Sequence, residues 1–162
     1  MEEITMQLGM KRALFQAGKA YQLGEIPIGA VLMKGDTLIS EAHNTREQSR
    51  NPLHHAEILA LEIAAHQLKD WRLEGTTLYV TTEPCPMCLG ALLQARLDQL
   101  VFGCADPKRA QVIEKNQRGD FIFPSLKNIS SITGNNHKLL IQGGVMEAEC
   151  AQLLKDFFID KR

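Results

Sequence analysis

The sequence predicts an α/β protein: a three-layer αβα sandwich on a central five-stranded mixed sheet. Two observations carry that prediction. Through the middle of the chain, apolar runs of strand length alternate with longer stretches of helical periodicity, the order that lays helices against a sheet. Ahead of that alternation comes a hairpin, whose strands are antiparallel by construction, so the sheet cannot be wholly parallel. With 162 residues, 44% of them hydrophobic and 23% charged, one sizeable core is expected, in a single domain over residues 1–162.

The elements follow in order. Met6, Met10, Ala13, Ala17 and Tyr21 recur at helical spacing, with Ile4, Leu8 and Leu14 widening the stripe. Gly24 ends this first helix, and its methionines read as core packing. Residues 28–33 form a short buried strand, Lys34-Gly35-Asp36 a tight turn, and residues 37–40 the returning strand. Gly29 inside the first strand marks either a bulge or the close approach of another group to its backbone. A polar loop runs from His43 to the turn signal Asn51-Pro52. From His55 the apolar residues Ile58, Leu59, Leu61, Ile63, Ala64 and Leu68 go almost all round a helix, the pattern of a buried one. Strands at 76–81 and 99–103 enclose a helix at 87–97. A long polar-rich stretch follows Asp106, then a fifth strand at 139–141, the break Gly143-Gly144, and a last helix at 147–158.

The chemistry gathers in Thr82-Glu83-Pro84-Cys85-Pro86-Met87-Cys88-Leu89-Gly90-Ala91. Pro84 lacks an N–H and fixes φ, so it breaks the preceding strand. Pro86 suits the first turn of a helix, where a missing N–H costs nothing. Cys85 and Cys88 then lie three residues apart on one face of a helix start. The positive end of the helix dipole favours thiolate there, and thiolate is the form that binds a metal. Two ligands do not hold a zinc ion. Upstream, His54-His55-Ala56-Glu57 opens the apolar helix and offers an imidazole. One nitrogen and two sulfurs leave the fourth tetrahedral position open, which is the catalytic arrangement rather than the closed structural one. A carboxylate beside it can move protons between water and a leaving group, and Glu57 is in the same first turn.

His55-Ala56-Glu57 followed by Pro84-Cys85-Pro86-Met87-Cys88 resembles the cytidine deaminase superfamily, whose members share an H-x-E…P-C-x-x-C signature. The resemblance implies a cytidine deaminase-like sandwich, one Zn2+ per chain on His55, Cys85 and Cys88, and Glu57 as the catalytic proton carrier. It makes His55 the ligand, since the family's histidine directly precedes Ala-Glu, and His54 a loop residue.

Within the superfamily the chain is similar to the bacterial tRNA-specific adenosine deaminases over nearly its whole length. The shared segments include Gly24-Glu25-Ile26-Pro27-Ile28-Gly29-Ala30, Ala42-His43-Asn44, Asp70-Trp71-Arg72-Leu73, Asp106-Pro107-Lys108 and Leu153-Leu154-Lys155-Asp156-Phe157-Phe158. The implied activity is hydrolytic deamination of adenosine to inosine at the tRNA wobble position. By position, Asn44 would hydrogen-bond the flipped nucleoside, the backbone near Ala30 would help seat the base, and Asp106 would lie beside the nucleic acid. The family is typically homodimeric. The cysteine stretch is also similar to bacterial guanine deaminases, so a free base or nucleoside such as guanine is the alternative substrate. After Lys108 the chain departs from the family's small residues, running Arg109-Ala110-Gln111-Val112-Ile113, which implies a different substrate rim.

Charge bears on the partner. A formal net charge of −1 means that no global basic field advertises a polynucleotide. A local cluster suffices to hold a tRNA anticodon loop, and Lys108, Arg109, Lys155, Lys161 and Arg162 are the candidate phosphate contacts. No apolar run reaches membrane-spanning length, and Met1-Glu2-Glu3-Ile4 lacks the basic-then-apolar order of a signal peptide. The expected location is cytoplasmic. Cys104 and Cys150 read as reduced, buried thiols.

Overall fold

The computed structural model describes residues 2–106, 125–134 and 136–161. Lys108, Arg109 and Arg162, and the departure from the family that follows Lys108, lie outside the described residues. The order is α1 (Glu2–Gln22), β1 (Gly29–Lys34), β2 (Thr37–His43), α2 (Arg46–Ser49), α3 (Ala56–Leu68), β3 (Thr77–Thr82), α4 (Pro86–Gln94) and β4 (Gln99–Cys104). A 3-10 turn at Leu126–Asn128 leads into β5 (Ser131–Gly134), β6 (His137–Gln142) and α5 (Glu147–Asp160).

The strands form one mixed sheet in the order β2-β1-β3-β4-β6-β5. Pairing is antiparallel at β1/β2, β1/β3 and β5/β6, and parallel at β3/β4 and β4/β6. Helices α1 and α5 pack on one face, α3 and α4 on the other. Side chains alternate between faces along each strand. Ala30, Leu32, Leu78, Val80, Leu100 and Phe102 point into the cluster under α3 and α4. Val31, Met33, Tyr79 and Val101, their neighbours in sequence, point into the cluster under α1 and α5. Both faces are therefore buried, which is why the central strands read as continuous apolar runs.

Four sequence expectations need correction. The sheet has six strands, not five. The extra one, Ser131-Ile132-Thr133-Gly134, lies at the sheet edge, where one ladder of hydrogen bonds suffices and only Ile132 contributes to the core. In α1, Met10, Ala13 and Ala17 are fully buried, but Ile4 is 74% and Leu8 50% exposed, so the inward face is narrower than the apolar stripe. In α3 only Ala56, Glu57, Ala60, Leu61 and Ala64 are buried, while Ile63 and Leu68 face outward. Helix α4 stops at Gln94, and Arg96 takes a left-handed φ of 59° before Leu97 turns back into the core.

Gly29 reports a close approach. A Cβ there would stand 2.0 Å from the Ala13 carbonyl oxygen and 2.5 Å from the Ala17 nitrogen, so the backbone of α1 rests on this point of the sheet. The β1/β2 bulge falls elsewhere, between Leu32 and Met33. The hairpin turn is at Gly35, whose φ of 57° is strained for other residues.

Topology decides where the chemistry can be. β2 is antiparallel to β1 and β1 to β3, so β2 and β3 run in the same direction. Their C-terminal ends share one edge of the sheet, and α3 and α4 begin just past those ends, touching each other.

Candidate metal centre and active site

His55 and Cys85 hold equivalent positions. Each is the residue before the first helical one, with extended backbone (φ −72°, ψ 153° and φ −70°, ψ 168°), and neither side chain caps its helix. The side chains turn toward each other instead. Pro86 opens α4 as expected of its fixed φ, and Cys88 follows one turn on with no exposure. His55 Nδ1 lies 3.5 Å from the Cys85 Sγ and 3.5 Å from the Cys88 Sγ. Ligands at ordinary Zn–N and Zn–S distances, spread at the tetrahedral angle, stand about 3.5 Å apart. Among the described residues these three form a group able to hold a metal ion, their donor atoms all within 4.8 Å of one another.

His54 is occupied elsewhere. Its Nδ1 pairs with the Ser49 hydroxyl at 2.8 Å and its Nε2 with the Asn51 amide at 3.1 Å, which leaves neither nitrogen for a metal. It orders the loop that delivers His55.

Glu57 lies in the first turn of α3, 3% exposed. Its Oε1 is the buried side-chain oxygen or nitrogen without a hydrogen-bond partner among the described residues. Folded chains seldom leave such an atom unpaired, so this oxygen is placed to meet a group that the described residues do not supply. Burial pushes the carboxyl above the usual carboxylate range. The sulfurs form a coupled pair. The Cys88 thiol donates to Cys85, which with His55 holds Cys85 down to about 4, while the same bond and burial push Cys88 up. The Cys85 sulfur in turn raises the pKa of His55. A donor set of one imidazole and two sulfurs, one already thiolate, suits a zinc ion.

A cavity of about 90 Å³ opens at this group, walled by Ile26, Ile28, Asn44, Arg46, His55 and Glu57. Asn44 is buried, and its amide braces the wall: Nδ2 donates to the Ile26 carbonyl at 3.2 Å, and Oδ1 accepts from the Arg46 N–H at 3.1 Å. Glu25, also buried, accepts from the Glu47 and Gln48 N–H groups at the start of α2. Ala30 is in the core cluster, two residues along the chain from Ile28, which forms the wall itself. Asp106 lines a larger groove of about 620 Å³ between the end of β4 and α5. Ile26 and Ile28 border both spaces, and Lys155 and Phe158 close the far side of the groove. Sequence reasoning missed Ile26, Ile28 and Arg46 as wall residues. The one signal for them is their adjacency to Asn44 and to Pro27.

The sandwich, with an imidazole and two sulfurs at converging helix starts and a carboxylate beside them, defines the class of hydrolytic nucleobase deaminases. A family model described as MafB19-like deaminase matches residues 4–162. A tRNA-specific adenosine deaminase of Bacillus subtilis is 42% identical over 96% of this chain and 90% of that protein. A solved structure from work on A-to-I editing by tRNA:A34 deaminases at the wobble position of transfer RNA superposes with a TM-score of 0.70, at 32% identity, over 90% of this chain and 97% of that one. A guanine deaminase from Nitrosomonas europaea superposes with a TM-score of 0.71 over 93% of this chain and 83% of that one, but at 22% identity it shares the fold alone. The chain belongs to the MafB19-like deaminase family and, within it, to the tRNA-specific adenosine deaminases.

Proposed function

We propose that this protein is a zinc-dependent hydrolytic deaminase that converts adenosine to inosine at the wobble position of a tRNA anticodon loop. The observation that carries the reading is the unpartnered, buried Glu57 Oε1 beside three metal-ligand atoms at tetrahedral spacing. His55 Nδ1 and the two cysteine sulfurs would hold one Zn2+ per chain, which when bound supplies Lewis-acid activation of water. Glu57 takes a proton from the attacking water and delivers it to the departing amino group, so that adenosine and water become inosine and ammonia. Its raised pKa suits a group that must both accept and give.

Asn44 keeps one N–H and one lone pair beyond its bonds to Ile26 and Arg46, enough to read one polar edge of a nucleoside. Ile26 and Ile28, backed by Ala30 in the core, form the apolar seat of the base. The groove beyond, with Asp106 on one side and Lys155 and Phe158 on the other, offers an apolar ring face and a cation to the flanking nucleotide. A free base has no use for that groove, which favours a strand over guanine. The same reading makes the active form a homodimer, with the half-exposed Leu89, Ala91 and Leu93 of α4 as the apolar face, and places it in the cytoplasm with its tRNA. Among the described residues no helix is long and apolar enough to cross a membrane.

The test is deamination measured side by side on an anticodon stem-loop, free adenosine and guanine. Inosine should form in the stem-loop, with activity falling as salt rises. Lys155→Ala should flatten the log–log salt slope by roughly 0.7–0.9, the share of one phosphate contact. Robust guanine turnover with no inosine in the stem-loop would overturn the substrate assignment.

A further inference from the structure

Glu83 stands one residue past β3 and two before Cys85, and it is 3% exposed. Its carboxylate is engaged on both oxygens. Oε1 accepts from the Asp106 N–H at 2.7 Å and the Ser125 hydroxyl at 3.2 Å; Oε2 accepts from the Leu126 N–H at 2.8 Å and the same hydroxyl at 3.3 Å. Its own N–H donates to the Cys104 carbonyl at 2.9 Å. Three places far apart in sequence meet on this one side chain: the loop that carries Cys85, the end of β4 at Asp106, and the chain's return at Ser125-Leu126. Asp106 and Cys104 line the groove described above. Leu126 is 2% exposed and belongs to the core under α3 and α4.

We propose that Glu83 is a positioning residue that pins the groove wall at Asp106, and the returning chain at Ser125-Leu126, to the metal-ligand loop. It belongs neither to the group of metal-ligand residues nor to the residues that wall the cavity at Glu57. Its chemistry is that of a buried carboxyl group receiving two backbone N–H groups, at 2.7 and 2.8 Å, and a hydroxyl. Backbone amides cannot be retuned by sequence, so only an acceptor placed between them can hold both segments at once. The consequence for catalysis rests on the reading that the groove takes the flanking nucleotide. A wall held to the Cys85 loop keeps a fixed distance between groove and reaction centre.

Glu83→Gln preserves shape but turns one acceptor oxygen into an NH2 facing a backbone N–H. Amide hydrogen exchange read residue by residue by NMR should speed up at Asp106 and Leu126 by roughly tenfold or more, with no change at Val80 and Phe102 in the core strands. Steady-state kinetics on the anticodon stem-loop should show KM raised by roughly tenfold, the worth of one hydrogen bond, with kcat and zinc content little altered. Ser125→Ala, which leaves both backbone bonds in place, should move exchange and KM the same way by less. Unchanged exchange at the two amides in Glu83→Gln overturns the pinning, whatever the substrate is. Faster exchange with unchanged KM overturns its part in substrate binding. Loss of zinc, or exchange raised equally across the core, shows a merely structural role and overturns the proposal too. A wild-type protein inactive on the stem-loop fails the proposed function instead, and the exchange result still decides the pinning.

Discussion

The two faces of the sheet are built from the same strands and treat a cysteine in opposite ways. On the α3/α4 face, Cys85 is held down to about 4 by the thiol of Cys88 and the ring of His55. On the α1/α5 face, burial pushes Cys150 up to about 12 and also raises Cys104. Depth accounts for part of this, since Cys85 is only half-buried, whereas Cys88 at 0% and Cys150 at 1% exposure are both pushed up. Company accounts for the rest. Cys150 packs in a cluster with Met10, Val101 and Leu154, which offer a thiolate nothing. Cys85 stands at a helix start beside a donor thiol and an imidazole. The cluster under α1 and α5 packs the fold; the α3/α4 side does so and also holds the candidate metal group.

Substitutions can break this contrast, and the largest effect is expected at the ligands. Cys88→Ala should abolish turnover together with bound zinc, because a site reduced to two protein ligands binds far more weakly. Elemental analysis returning full zinc for this variant would refute the metal centre. Next comes Glu57→Ala, which should keep zinc and lower kcat by about two to four orders of magnitude, the usual share of a general acid–base group. Near-normal single-turnover rates would sink the proton-carrier role.

On the other face the expected effects are on stability. Gly29→Ala should cost about 1–3 kcal/mol in chemical denaturation, since the new methyl meets the backbone of α1, which cannot yield as a flexible side chain would. The zinc content of the folded protein should be unaffected; coupled loss of zinc would mean that the faces are not independent. The smallest change sharpens the comparison of thiols. After chelation, alkylation of Cys85 should be nearly flat from about pH 5 to 8 and fall only as pH drops through about 4, because the thiolate persists above its lowered pKa. Cys150, whose pKa lies far above that window, should stay unlabelled until the protein is denatured. Peptide mapping that finds Cys150 labelled as fast as Cys85 in the folded protein would erase the distinction.

Much of the site was legible because its residues sit close together in sequence. His55 and Glu57 share one helix start, and Cys85 and Cys88 share another, so local rules about prolines and helix termini pointed to these two starts. The choice between His54 and His55 was not a local matter. It came from the family pattern, and the structure shows its cause in the bonds from His54 to Ser49 and Asn51. β5 escaped notice because an edge strand needs so little apolar content. The outward turn of Ile63 and Leu68 escaped because periodicity shows an apolar face without showing how much of it is covered.

The sequence by itself determined the alternation of elements, the two-sided burial of the central strands, and the pairing of Cys85 with Cys88 at one helix start and of an imidazole with Glu57 at another. Each follows from residues within a turn or a strand of one another. Only the tertiary structure decided that the ends of β2 and β3 share an edge, that Ile26 and Ile28 wall both the cavity and the groove, and that Glu83 binds Asp106 and Leu126. The reason is physical. A carboxylate or an apolar side chain near a strand end has many possible partners, and strand order and register, set by the packing of the whole core, choose among them.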